Sequence, residues 1–87
     1  MIYNKHIDEY IDLVESGQVV TNQDIKDMIK LVKEKLDQPN ITIDSEKIDK
    51  AIEKIHEYFS FELLPWERFV IGLEHCYYDD GTLVWDT

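Results

Sequence analysis

The apolar residues of this chain recur at every third or fourth position in four separate stretches, a period that builds helices with one buried face. Tyr3, Ile7, Tyr10, Ile11 and Val14 are the first stripe, and the charged residues between them predict a helix from about residue 3 to Ser16. Gly17 stands where a left-handed C-terminal cap is wanted, and Gln18-Val19-Val20 reads as a short extended connection. Thr21 is expected to cap the second helix, with Asp24 favouring the positive end of its dipole. That helix carries Ile25, Met28, Ile29, Val32 and Leu36 and ends before Pro39, whose ring disfavours helical geometry in the residue ahead of it.

Asp44 or Ser45 caps a third helix that buries Ile48, Ala51, Ile52, Ile55 and Phe59 and turns a charged face outward. Phe59-Ser60-Phe61 breaks the period, and Pro65 suits the first turn of a fourth helix, where its missing N–H is not needed. Trp66, Phe69, Val70, Leu73 and Tyr77 are the buried stripe expected there, with Trp66 as the main anchor. Asp79-Asp80-Gly81 is a turn, and Thr82-Leu83-Val84-Trp85 is a strand able to pair back on Tyr77-Tyr78. The fold class is therefore mainly α: a small four-helix domain, its first three helices bundled, with a short C-terminal β-hairpin. So short a strand at the end of the chain raises the expectation that the natural polypeptide continues past Thr87.

Composition narrows the function. At 87 residues the chain makes one small domain, and no apolar run approaches the about 20 residues needed to span a bilayer. The opening Met1 to His6 lacks a secretory pattern and Cys76 has no partner for a disulfide, so a cytoplasmic protein is expected. Nine basic against nineteen acidic residues leave a net charge of −10, which makes direct nucleic-acid binding unfavourable. Lys26, Lys30 and Lys33 share one helix face, the one place where a small phosphate-touching patch could form. Eight of the ten aromatic residues lie in 58–87, more than that stretch can bury by itself, which points to a covering partner or to self-association through this end.

Catalytic machinery is not visible. Glu74, His75 and Cys76 are adjacent and would point about 100° apart on a helix, and with Asp79 and Asp80 they match no zinc or calcium spacing; no metal is expected. His6 and His56 sit among surface charges, the serines lack a nucleophile elbow, and glycines standing singly at 17, 72 and 81 form no phosphate loop.

The stretch Phe61-Glu62-Leu63-Leu64-Pro65-Trp66-Glu67-Arg68-Phe69-Val70-Ile71-Gly72 resembles the segment that precedes the ATPase core in the large subunits of tailed-bacteriophage terminases, commonly Phe-x-Leu-x-Pro-Trp-Gln-x-Phe. Tyr10 to Thr21 is similar to that family's opening helix, glycine turn and entry to the next helix, and the Tyr77 to Trp85 hairpin resembles the one that leads toward its Walker A loop.

The resemblance implies a non-catalytic N-terminal fragment of the ATP-driven DNA-packaging motor, working in the bacterial host cytoplasm. Residues 1–58 would be a helical lead-in domain, and 59–87 the start of the ATPase domain, stopping before the phosphate loop. This chain would bind no cofactor itself, while ATP and Mg²⁺ would bind the full-length protein with Pro65, Trp66 and Glu67 near the nucleotide. Its partners would be the rest of the large subunit, and also the small subunit or a second copy. Glu67 replaces the family's glutamine, and an ionised carboxylate can accept from the adenine amino group but cannot donate to N7. The alternative is a small acidic phage protein that regulates another protein through its aromatic surface or mimics DNA, although Lys26 to Lys54 interrupt any continuous row of carboxylates.

Overall fold

Each helix of this chain starts where a side chain or a proline can satisfy its first turn. The computed structural model describes residues 3–85; what the sequence suggests about Met1, Ile2, Asp86, Thr87 and any continuation lies outside them. The elements are α1 (Lys5–Glu15), α2 (Gln23–Leu36), β1 (Ile41–Ile43), α3 (Ser45–Phe59), α4 (Pro65–Leu73) and β2 (Cys76–Tyr78), a mainly α chain of four helices as expected. Asn4, buried, accepts from the His6 N–H at 2.9 Å and so begins α1 two residues later than the apolar stripe suggests. At its other end Gly17 has φ +76°, and the Gly17 and Gln18 N–H groups reach the Val14 and Leu13 carbonyls, the double closure of a Schellman cap. Thr21 does not cap α2. Asn22 does, accepting from the Ile25 N–H at 2.9 Å, one residue further on. Asp44 caps α3 through the Lys47 N–H.

The chain turns back at Asp79-Asp80-Gly81 as expected, with the Tyr78 N–H donating to the Thr82 carbonyl at 2.8 Å, but Thr82 to Trp85 is not a strand: it meets β2 through a single bridge between Tyr77 and Leu83, because β1 is the strand that pairs along β2. Sequence periodicity did not anticipate β1. It pairs antiparallel with β2, Ile41 opposite Tyr78 and Ile43 opposite Cys76, and joins the loop after Pro39 to the end of the chain. Because His75 and Cys76 turn the chain into this pairing, α4 stops at Leu73, and Tyr77 lies on a strand rather than on the helix stripe. Lys35 and Lys47, each 5.4 Å from a ring centroid, cover Tyr78 and Tyr77.

The core gathers around α4 rather than within the first three helices. Ile7, Ile11 and Val14 of α1, Ile29, Val32 and Leu36 of α2, and Ile48 and Ile52 of α3 share one apolar cluster with Leu63, Phe69 and Cys76. Residues on both sides of position 58 therefore contribute to one core. Phe69, 2% exposed, stacks on Tyr10 with ring centroids 4.9 Å apart. Trp66, at 52% exposed, is not the anchor. At about 100° per residue the buried direction of α4 bisects Phe69 and Gly72, leaving Trp66 about 90° away and Val70 further still. Met28 is likewise exposed, at the margin of its stripe, and Phe59 is exposed because α3 ends there, ahead of the left-handed Ser60. Among the described residues no helix is long and apolar enough to cross a membrane.

Gly72 lets α1 approach: a Cβ placed there would stand 2.6 Å from Ile7 Cγ1 and 3.1 Å from Cδ1, against a side chain that is fully buried and branched at Cβ. Gly72→Ala should therefore destabilise by about 1 kcal/mol or more, overpacking exceeding the gain in helix propensity. Phe69→Ala should cost about 3–5 kcal/mol, and Trp66→Ala, which removes a half-exposed ring, about 1 kcal/mol. Urea denaturation of the three variants checks that order; a Trp66→Ala loss equal to that of Phe69→Ala would contradict the packing described.

Candidate functional site

The corner between α3 and α4 is where the chain shows most apolar surface. Ser60 ends α3 in the left-handed conformation, φ +53°, its N–H returning to the His56 carbonyl at 3.2 Å. The next residues are held from inside. Leu63 is buried, its N–H donates to His56 Nε2 at 3.1 Å, and its carbonyl accepts from Arg68 Nη1. Arg68 also binds Glu9 at 2.8 Å with its side chain only 15% exposed, so the sole arginine clamps the corner to α1. His56 is thus an acceptor for the Leu63 N–H rather than a solvated surface residue. Sequence reasoning missed both groups, since their partners lie five to seven or, for Glu9, 59 positions away.

With the backbone pinned inward, the large side chains point outward. Tyr58 is 78% exposed, Phe59 and Phe61 form an exposed pair with centroids 6.0 Å apart, and Leu64, Trp66 and Val70 are exposed beyond them. The three residues expected near a nucleotide, Pro65, Trp66 and Glu67, come together on the first turn of α4. Pro65 and Glu67 are half-buried and Trp66 stands out. Glu67 acts within its own helix turn, where its Oε1 accepts from the Leu64 N–H at 2.8 Å and closes the start of α4 that Leu64, with no capping oxygen, leaves open.

The lysines noted on one helix face converge on a second feature. An open cleft of about 910 Å³ lies between the 16–21 connection and α2, lined by Val14, Val19, Val20 and Ile29 and by charges of both signs, Lys26, Lys30 and Lys33 with Glu15, Glu34 and Asp37. Lys33 is bound to Glu15 at 2.8 Å, which raises its pKa. Lys26 and Lys30 form no ion pair among the described residues.

Among the described residues no three His, Cys, Asp or Glu side chains gather as a metal site. Cys76 is fully buried with its Sγ toward the Gly72 carbonyl, and burial pushes its thiol up to about 12, far from a reactive thiolate. His6 is not solvated either: its Nε2 lies 3.6 Å from Asp49 Oδ1, and both its Nδ1 and that oxygen are buried without a hydrogen bond. Burial lowers the His6 pKa, outweighing the opposing field of Asp49. Comparison with protein-family models, with curated proteins and with solved structures finds no match to this chain.

Two outcomes follow from these contacts. Because the folded His6 pKa lies below its unfolded value of about 6.5, the unfolded chain takes up the proton first. The His6 contribution is then complete above that value and is lost as pH falls toward the folded pKa, so urea midpoints from pH 8 to pH 5 should fall less for His6→Asn than for the parent. At α4, Glu67→Gln keeps the Oε1 acceptor and should melt with the parent, whereas Glu67→Ala should lose about 1 kcal/mol. Equal losses in both Glu67 variants would remove the capping role.

Proposed function

We propose that this chain is the non-catalytic N-terminal region of a tailed-bacteriophage terminase large subunit, part of a motor that packages DNA at the expense of ATP. The observation that carries the reading is the first turn of α4. The family-like Leu64-Pro65-Trp66-Glu67 stretch opens that helix, and Trp66 stands clear of the core with Pro65 beside it. A tryptophan consumed by this chain's own packing could not meet a nucleotide, while an exposed one has a ring face to offer. In this reading residues 1–58 are the helical lead-in and 59–87 begin the ATPase domain, the two joined through the packing of α1 on α4. Pro65 and Trp66 lie beside the base in the full-length protein. Glu67, its carboxylate engaged with the Leu64 N–H, shapes that turn and does not read adenine.

The phosphates require more than this chain offers. ATP and Mg²⁺ in such enzymes are held by backbone N–H groups of a glycine-rich loop and its lysine, which this reading places in the sequence after Thr87. The protein acts in the bacterial host cytoplasm, with the rest of the large subunit as first partner. A second reading, a small acidic phage regulator that binds a protein, is favoured by the exposed Tyr58, Phe59 and Phe61.

The reading frame downstream of Thr87 and titration calorimetry distinguish them. The frame should continue into a glycine-lysine phosphate loop, and the extended protein should bind ATP, with Trp66→Ala weakening it by roughly the fivefold that about 1 kcal/mol of lost stacking implies. The 87-residue chain should show no ATPase activity and no ATP binding tighter than about millimolar. A frame that stops at Thr87, or micromolar ATP binding by the 87-residue chain, would contradict the assignment.

A further inference from the structure

We infer that His56 is a proton-operated latch on the corner between α3 and α4, closed while its ring is neutral and released when the ring takes up a proton. The inference rests on the direction of one hydrogen bond. A backbone N–H can only donate, so His56 Nε2, 3.1 Å from the Leu63 nitrogen, must offer it a lone pair. A protonated imidazole carries a hydrogen on both nitrogens and has no lone pair left, so this contact and the positive charge exclude each other. Leu63 is buried, and a buried N–H that loses its acceptor destabilises the arrangement that buries it. Protonation of His56 therefore favours a corner in which the Leu63 N–H faces water.

His56 holds the corner twice, its carbonyl accepting from the Ser60 N–H at 3.2 Å and its ring accepting from Leu63. Between those two points Ser60 stands in the left-handed region at φ +53°, a conformation unfavourable to a residue with a Cβ, and it relaxes when the corner opens. Arg68 also holds this backbone, through the Leu63 carbonyl and Glu9 of α1, but a guanidinium does not titrate and cannot act as the switch. The charged groups around the ring are Glu53 and Glu57, each within a turn of it on α3, Glu62 in the corner, Glu67 and Arg68 on α4, and Glu9 on α1 behind Arg68. Those groups act at a distance and with both signs, whereas the Leu63 N–H touches the ring and admits only its neutral form. Tyr58, Phe59 and Phe61 flank Ser60, so the latch governs how the exposed aromatics are arranged. The inference does not rest on the terminase reading, which concerns Trp66 and the first turn of α4.

Solution NMR of the whole chain, titrated from pH 8 to pH 5, tests it. The carbon-bound ring protons of His56 report its protonation, and the Leu63 amide proton should move upfield with the same midpoint. Exchange of that amide with solvent, corrected for its intrinsic pH dependence, should quicken by about tenfold or more over the same step. The amides of Ile11 and Val14 in α1 should stay protected throughout, which marks the opening as local. His56→Gln, whose side-chain oxygen accepts at every pH, should leave the Leu63 amide unresponsive although His6 and His75 remain to titrate. The parent titration decides by itself if that variant does not fold. A Leu63 amide that stays in place while the His56 ring titrates, a ring that stays neutral until the whole chain unfolds, a simultaneous loss of protection in α1, or an equal Leu63 response in His56→Gln would overturn the inference.

Discussion

The close approach of α1 to α4 at Ile7 and Gly72 is the constraint on which the rest of this structure depends. A helix carrying a Cβ at position 72 could not lie where α4 lies, because the space is filled by a fully buried Ile7. That contact sets Phe69 against Tyr10 and brings Arg68 to Glu9. It also aims the end of α4 so that Cys76 enters the core and β2 meets β1. A chain this short buries only about 60% of the surface it exposes when unfolded, so a close packing of its first and last helices stabilises disproportionately.

The same constraint explains why so much aromatic surface remains outside. Phe69 and Gly72 take the inward direction of α4, which leaves Trp66 and Val70 at the side. Across the corner, His56 and Arg68 hold the backbone of Leu63 inward, and the left-handed Ser60 turns the chain so that Phe59 and Phe61 meet each other instead of the core. The aromatics are a fixed ledge on a braced corner.

Much of the helical part could be read from the sequence because it follows from local chemistry. Gly17 and Pro65 stand at backbone positions that few other residues accept so readily, and the buried residues of α1, α2 and most of α3 follow the 3.6-residue period. What could not be read depends on partners distant in the chain. β1, Ile41-Thr42-Ile43, alternates over only three residues, too short a run to read as a strand, and exists because β2, more than thirty positions later, supplies its hydrogen bonds. The burial of Phe69 in place of Trp66 depends on which edge of a wide apolar stripe α1 selects, and periodicity alone does not choose between edges. At the candidate site, grouping Pro65, Trp66 and Glu67 needed only their adjacency. The Glu67 bond to the Leu64 N–H depends on Leu64 lacking an oxygen, a feature visible in the sequence once Pro65 is placed as the first residue of α4.

Native-state hydrogen exchange tests most directly whether one core unites both ends of the chain. If α1 and α4 stabilise each other as described, the amides of Ile11 and Val14 and those near Phe69 to Leu73 should share the highest protection and open in a single global step. The connection around Val20 and the turn at Asp80 should exchange first. If α4 instead exchanged through an opening of its own while α1, α2 and α3 stayed protected, residues on either side of position 58 would be separate units, and the account built on Ile7 and Gly72 would be wrong.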